Sequence, residues 1–133
     1  MKIKNMVFNI VMVGLCFSLI WGICAFLMEV RDYHSMYDRR EKDFLYAIQD
    51  KEYSHLWEIS NEMRITDKDL SKLEEYFAVA DYYEAALYYK AYEENGEKVK
   101  AEEKRQMMEE AQGKMGKYHY VAEQILEELE IIQ

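Results

Sequence analysis

Residues 6–28 read MVFNIVMVGLCFSLIWGICAFLM, twenty-three positions without one charged side chain. As a helix rising ~1.5 Å per residue the stretch spans ~34 Å, enough to cross a hydrocarbon core of ~30 Å. Asn9, Gly14, Ser18 and Gly22 are tolerable there, because a helix satisfies its own backbone and small polar side chains bond back to it. A core helix of a soluble protein would keep a polar face, and this stretch has none. A cleaved signal peptide is the rival reading. Its apolar run is ordinarily about 7–15 residues with small residues before the cut. Here the run is longer and no Ala-x-Ala follows, although Gly22 and Cys24 precede Ala25. The lipoprotein pattern needs a small residue before its cysteine, and Leu15 and Ile23 stand before Cys16 and Cys24. The stretch reads as an uncleaved signal anchor.

Charge divides the chain at the same place. Of 133 residues, 17 are Lys or Arg and 26 are Asp or Glu, for a net charge of −9. No acid and only Lys2 and Lys4 fall before residue 29, so residues 29–133 carry 15 basic and 26 acidic groups, a net −11. The expected organisation is a short tail (1–5), a transmembrane helix (6–28), a juxtamembrane segment (29–35) and an acidic all-helical domain (36–133). Lys2, Lys4 and the amino group face a flank at 29–43 that is net −1. That difference favours a cytoplasmic N-terminus and an extracytoplasmic domain at the cell membrane. Lysine and arginine alone number four on the domain side and two on the other, which favours the reverse. The net flank difference is preferred because the tail is only five residues and its amino group counts. Cys16 and Cys24 lie about 80° apart around one helix, so they cannot bridge. They read as small apolar residues, with palmitoylation or a dimer contact as the other use.

Beyond residue 28 there are three glycines, no proline and an abundance of Glu, Lys, Ala, Leu, Met and Tyr. These favour helix, and no strand-like alternation interrupts them. Met108, Ala111, Met115, Tyr118, Ala122, Ile125, Leu129 and Ile132 are spaced 3-4-3-4-3-4-3, one narrow apolar seam of heptad character. The helix there is either continuous or broken near Gly116-Lys117. A middle helix is expected from Thr66, whose hydroxyl would cap Asp69, with Asp67 and Asp69 at the positive end of the dipole. Leu70, Leu73, Phe77, Ala80, Leu87 and Ala91 form its stripe, and Asn95-Gly96 ends it. A five-residue step from Ile48 to Tyr53 shifts the preceding stripe and places a turn near Asp50-Lys51.

Three places share a pattern. Asp50-Lys51-Glu52-Tyr53 precedes Leu56 and Trp57; Ala80-Asp81-Tyr82-Tyr83-Glu84-Ala85 precedes Tyr88 and Tyr89; Gly116-Lys117-Tyr118 precedes Val121, Ala122 and Ile125. Each resembles the turn and second-helix start of a tetratricopeptide repeat. The tyrosines are 29 and 36 residues apart, against a usual period of ~34. The resemblance covers residues 35–133 and implies antiparallel helical hairpins that bind a protein partner. No proline closes any repeat. The competing picture is a plain three-helix bundle over about 36–64, 67–94 and 97–132.

Tyr76, Tyr82, Tyr83, Tyr88, Tyr89 and Tyr92 place six tyrosines in 17 residues, nearly five helical turns. Their rings cannot all share one face. They read either as core and rim packing or as a recognition surface built on Tyr82, Tyr83, Tyr89 and Tyr92, with Trp57 as an anchor. Glu52-x-x-His55 alone has metal-ligand spacing, and a di-iron bundle needs a second such motif, which is lacking. No phosphate loop, zinc cluster or calcium loop occurs. Neither an enzyme nor a cofactor or metal is expected, and acidity argues against nucleic acid. The expected role is a membrane-anchored interaction module with protein partners. The alternatives are a homo-oligomer through the 108–132 seam, or an accessory or sensor subunit of a membrane complex contacting through Gly14, Ser18 and Gly22.

Overall fold

A computed structural model describes residues 2–66 and 71–131, without the side chains of residues 2, 4–6 and 33. Among the described residues it is all α, with five α-helices, two short 3-10 turns and no strand. The helices are α1 (Lys2–Gln49), α2 (Tyr53–Thr66), α3 (Glu74–Glu94), α4 (Lys98–Lys114) and α5 (Val121–Glu128). The chain divides into two units, Met1–Arg40 and Glu41–Gln133.

The first unit is helix alone. Between residues 14 and 37 the helix meets only two glycines, and Ser18 Oγ bonds back to the carbonyls of Gly14 (3.1 Å) and Leu15 (3.0 Å), so this hydroxyl is satisfied within the helix. Its large apolar side chains from Val7 to Met28 are all exposed. By length and composition this helix contains a stretch able to cross a membrane, and none of that stretch is buried within the chain.

The second unit is a helical bundle around α3. The end of α1 contributes Phe44, Ala47 and Ile48; α2 contributes Tyr53, Leu56, Ile59 and Met63. α3 is buried at Tyr76 through Ala80 and at Tyr82, Tyr83, Ala85 and Ala86, which is nearly all round. It packs against α2, α4, α5 and the Gly116–Tyr118 turn. The narrow stripe expected on it is therefore only part of its buried surface. Leu87 and Ala91 of that stripe are exposed.

The turns follow from local chemistry. α1 closes with Lys51 N–H on Ile48 O (3.2 Å) and Glu52 N–H on Ala47 O (2.8 Å). α3 closes the same way, with Gly96 on Glu93 (3.1 Å) and Glu97 on Tyr92 (2.9 Å). Both are Schellman closures, which require a left-handed residue. Lys51 (φ 58°) and Gly96 (φ 73°) fill it, and the lysine does so against the steric cost of its Cβ. Thr66 ends α2 instead of starting the next helix, its hydroxyl donating back to Glu62 O at 3.0 Å. Asp67, Asp69, Leu70 and Ile132 lie outside the described residues. The acids Glu74 and Glu75 occupy the first turn of α3 instead.

The 108–132 stretch is not one helix. It breaks at Met115–Tyr120, where Gly116 is left-handed (φ 52°). A Cβ at Gly116 would lie 2.2 Å from Glu75 Oε1, so the break seats the chain tightly on the start of α3. At Ala80–Asp81, where a repeat would turn, α3 runs on unbroken.

Buried tyrosines bind the elements together. Tyr118 Oη donates to Tyr76 Oη (2.8 Å), which donates to Glu41 Oε1 (3.3 Å). Tyr76 stacks on Phe44 with centroids 5.3 Å apart. Tyr53 Oη donates to Gln124 Oε1 at 3.0 Å. Burial, and after it Glu128, pushes the Tyr53 phenol up to about 12; burial and the bond from Tyr118 raise Tyr76 further. Each phenol stays protonated as a donor.

Candidate functional site

α3 and α4 run antiparallel, with Lys100 beside Tyr92 (5.3 Å to the ring centroid) and Lys104 beside Tyr88 (5.3 Å). α2 ends on the other flank of α3, where Arg64 bonds Asp81 at 2.6 Å and lies 5.2 Å over the Phe77 ring. Between these flanks runs a groove of about 850 Å³. Phe77, Ala78 and Ala85 of α3 and Ala111 of α4 form its apolar floor. Tyr88 and Met107 stand at its rim, each 46% exposed. Small residues in the floor are what make the concavity, since larger side chains there would fill it.

The walls are charged in a particular way. All three cations are occupied. Arg64 holds Asp81, Lys114 holds Glu110 at 2.7 Å, and Lys104 reaches Met107 Sδ at 3.4 Å while covering Tyr88. The bond to Glu110 holds the Lys114 ammonium above its usual range and the Glu110 carboxyl below its own. Of the four acids, Asp81 and Glu110 are paired. Glu74 and Glu84 have no hydrogen bond or ion pair among the described residues.

The aromatic set expected as one recognition face is divided. Tyr82 and Tyr83 are core residues, 2% and 7% exposed, and burial raises both phenols. Tyr89 and Tyr92 are half-buried. Tyr92 stacks with Tyr88 at 6.3 Å, while Tyr82 and Tyr89 border a separate cavity of about 390 Å³ with Arg105 and Ile131. Trp57 is half-buried, its Nε1 is buried without a partner, and no ring contact joins it to these tyrosines. The groove's own aromatics are Phe77 and Tyr88. Tyr88 stood in the tyrosine cluster and Phe77 in the α3 stripe, but nothing in their spacing distinguishes a groove wall from a packed core.

The seam expected at an oligomer contact is consumed inside the chain. Met108, Ala111, Met115, Tyr118, Ala122 and Ile125 are buried, against α3 through α4, α5 and the turn between them. Leu129 is half-buried, and its carbonyl accepts from Lys90 Nζ at 2.7 Å. His55 is exposed and lies 3.8 Å from Glu58, and no group of three metal-ligating side chains occurs among the described residues.

No protein-family model, no curated protein and no solved structure matches this chain.

Proposed function

We propose that this is a single-pass membrane protein whose acidic helical domain works as a protein-interaction module, with the α2–α3–α4 groove as its contact surface. Residues 6–28 anchor the domain, with the N-terminus inside the cell and residues 36–133 outside. The observation that carries the reading is the groove itself, an apolar floor with two half-exposed apolar side chains at its rim. Concave, largely preformed surfaces with a few placed charges are where folds of this kind take ligands. Helices reversing at Lys51 and Gly96 support a scaffold of helical hairpins of the tetratricopeptide kind, in which α3 spans what a regular repeat would split.

Site-specific photocrosslinking of the full chain in its native membrane tests this. A crosslinker at Tyr88 or Met107 should trap one defined protein, and one at Val99 (86% exposed, outside the groove) should not. Tyr88→Asp with Met107→Asp should remove the adduct while helix content stays unchanged. Equal trapping from all three positions would overturn the groove as the contact surface.

A further inference from the structure

We infer that the occupant of this groove is a basic amphipathic helix, about fourteen residues long, whose apolar face lies on Phe77, Ala78, Ala85 and Ala111 and whose Lys or Arg side chains pair with Glu74 and Glu84. This rests on the interaction-module reading and adds the chemistry of the partner.

Length comes first. The α3 residues that line the groove run from Glu74 to Tyr88. Fourteen rises of ~1.5 Å make the trough ~21 Å long, which matches a four-turn helix laid along it. Shape agrees. α3 is the floor, α4 one wall and the end of α2 the other, so a further helix would complete the layer. The three floor alanines permit close approach of its axis.

Backbone chemistry selects helix over strand. The groove is walled by helices whose N–H and C=O groups are bonded internally. An extended peptide binds mainly through main-chain hydrogen bonds to a sheet edge, and no edge exists among the described residues. A helix satisfies its own backbone and needs only an apolar trough.

Charge sets the sign. The groove's cations are all engaged within the chain; among the described residues Glu74 and Glu84 make no hydrogen bond or ion pair, although Glu74 acts through space on Lys114, whose ammonium is already bonded to Glu110. Glu74 and Glu84 are ten residues apart on α3, ~15 Å along the axis. The excess of −11 in residues 29–133 adds a long-range attraction for a basic segment.

The experiment uses the full chain in nanodiscs and three labelled 14-residue synthetic helices read by fluorescence anisotropy. One carries a Leu face with Lys at positions 2 and 12, the second has Glu at those positions, and the third scrambles the first. The Lys helix should bind saturably and the other two should not. Glu74→Gln with Glu84→Gln should weaken the Lys helix about fivefold or more, as expected for one exposed and one half-buried carboxylate. Glu103→Gln, an exposed charge outside the groove, should leave it unchanged. The inference is overturned if the Glu or scrambled helix binds equally well, or if the double Gln variant binds the Lys helix unchanged. If no helix binds while crosslinks from Tyr88 and Met107 persist, the partner chemistry is wrong and the groove stands. If those crosslinks are absent too, both readings fall.

Discussion

Phe17 and Phe44 stand in the same helix and meet opposite surroundings. Phe17 is 71% exposed and Phe44 is 0% exposed. The difference lies in their neighbours along the chain. Around Phe17 every position is uncharged, so the helix there has no charged face to set against an apolar one. Around Phe44 the run Phe44-Leu45-Tyr46-Ala47-Ile48 is flanked by Glu41, Lys42, Asp43 and Asp50, and within it Phe44, Ala47 and Ile48 form the buried stripe while Tyr46 stays exposed. A stripe needs a complementary stripe, and Tyr76 and Phe77 of α3 supply it, with centroids 5.3 and 5.7 Å from Phe44. Apolar content alone thus does not decide burial; its angular distribution does.

That contrast can be broken most forcefully in the anchor. Leu15→Asp with Leu19→Asp places two carboxylates in the apolar stretch, at about 2.5–3.5 kcal/mol each for membrane insertion. The chain should shift from the alkaline-resistant membrane pellet to the supernatant. Retention in the pellet would remove the membrane reading of residues 6–28.

The second prediction weighs the two phenylalanines directly. Phe44→Ala empties a site closed by two aromatic rings and should cost about 3–5 kcal/mol of domain stability. Phe17→Ala should change the same quantity by less than about 0.5 kcal/mol, because its side chain is largely exposed. Urea unfolding of the full chain, followed by helical circular dichroism, measures both. Similar losses would mean that the halves of α1 are not energetically distinct.

The smallest effect at physiological pH, and the one that sharpens the picture of the core, comes from alkali. The phenols of Tyr53, Tyr76, Tyr82 and Tyr83 all sit above their ordinary value of 10 in the folded chain. A raised folded value stabilises fully below pH 10. The contribution erodes above that, where only the unfolded chain ionises, and is gone for Tyr53 past about 12. Helix content should hold to about pH 10 and then fall. Tyr53→Phe should flatten the fall, and absorbance of tyrosinate at 295 nm should rise for the buried rings only as the helix is lost. Titration of all tyrosines near 10 with helix intact would show that these rings are not enclosed.

Much of the helical layout was legible. The five-residue step from Ile48 to Tyr53 marks the turn after α1, and Asn95-Gly96 marks the end of α3, because both are local events of periodicity and left-handed backbone. Thr66 was not legible. Its type suits a helix start, yet it closes α2, since hydroxyl-to-carbonyl bonding inside a helix satisfies the same group. Tyr82 and Tyr83 were also misplaced as surface candidates. A tyrosine with an enclosed ring and one at a rim look alike in sequence, and neighbouring helices decide which is which. The seam from Met108 to Ile125 is buried within the chain, and its spacing could not say so: heptad spacing specifies that a stripe must be covered, not by which chain.

What the sequence by itself determined is the division of the chain: a charge-free apolar stretch at 6–28, then an acidic helical domain whose stripes must meet one another. Those follow from composition and period, which are properties of the chain alone. The tertiary structure decided where α3 lies. By burying it on nearly all sides it used the 108–125 stripe within the chain, drew Tyr76, Tyr82 and Tyr83 inward, and left an alanine-floored groove beside Phe77 and Tyr88. Those outcomes depend on which surfaces come within a few ångströms of each other, and that is fixed by packing rather than by residue type.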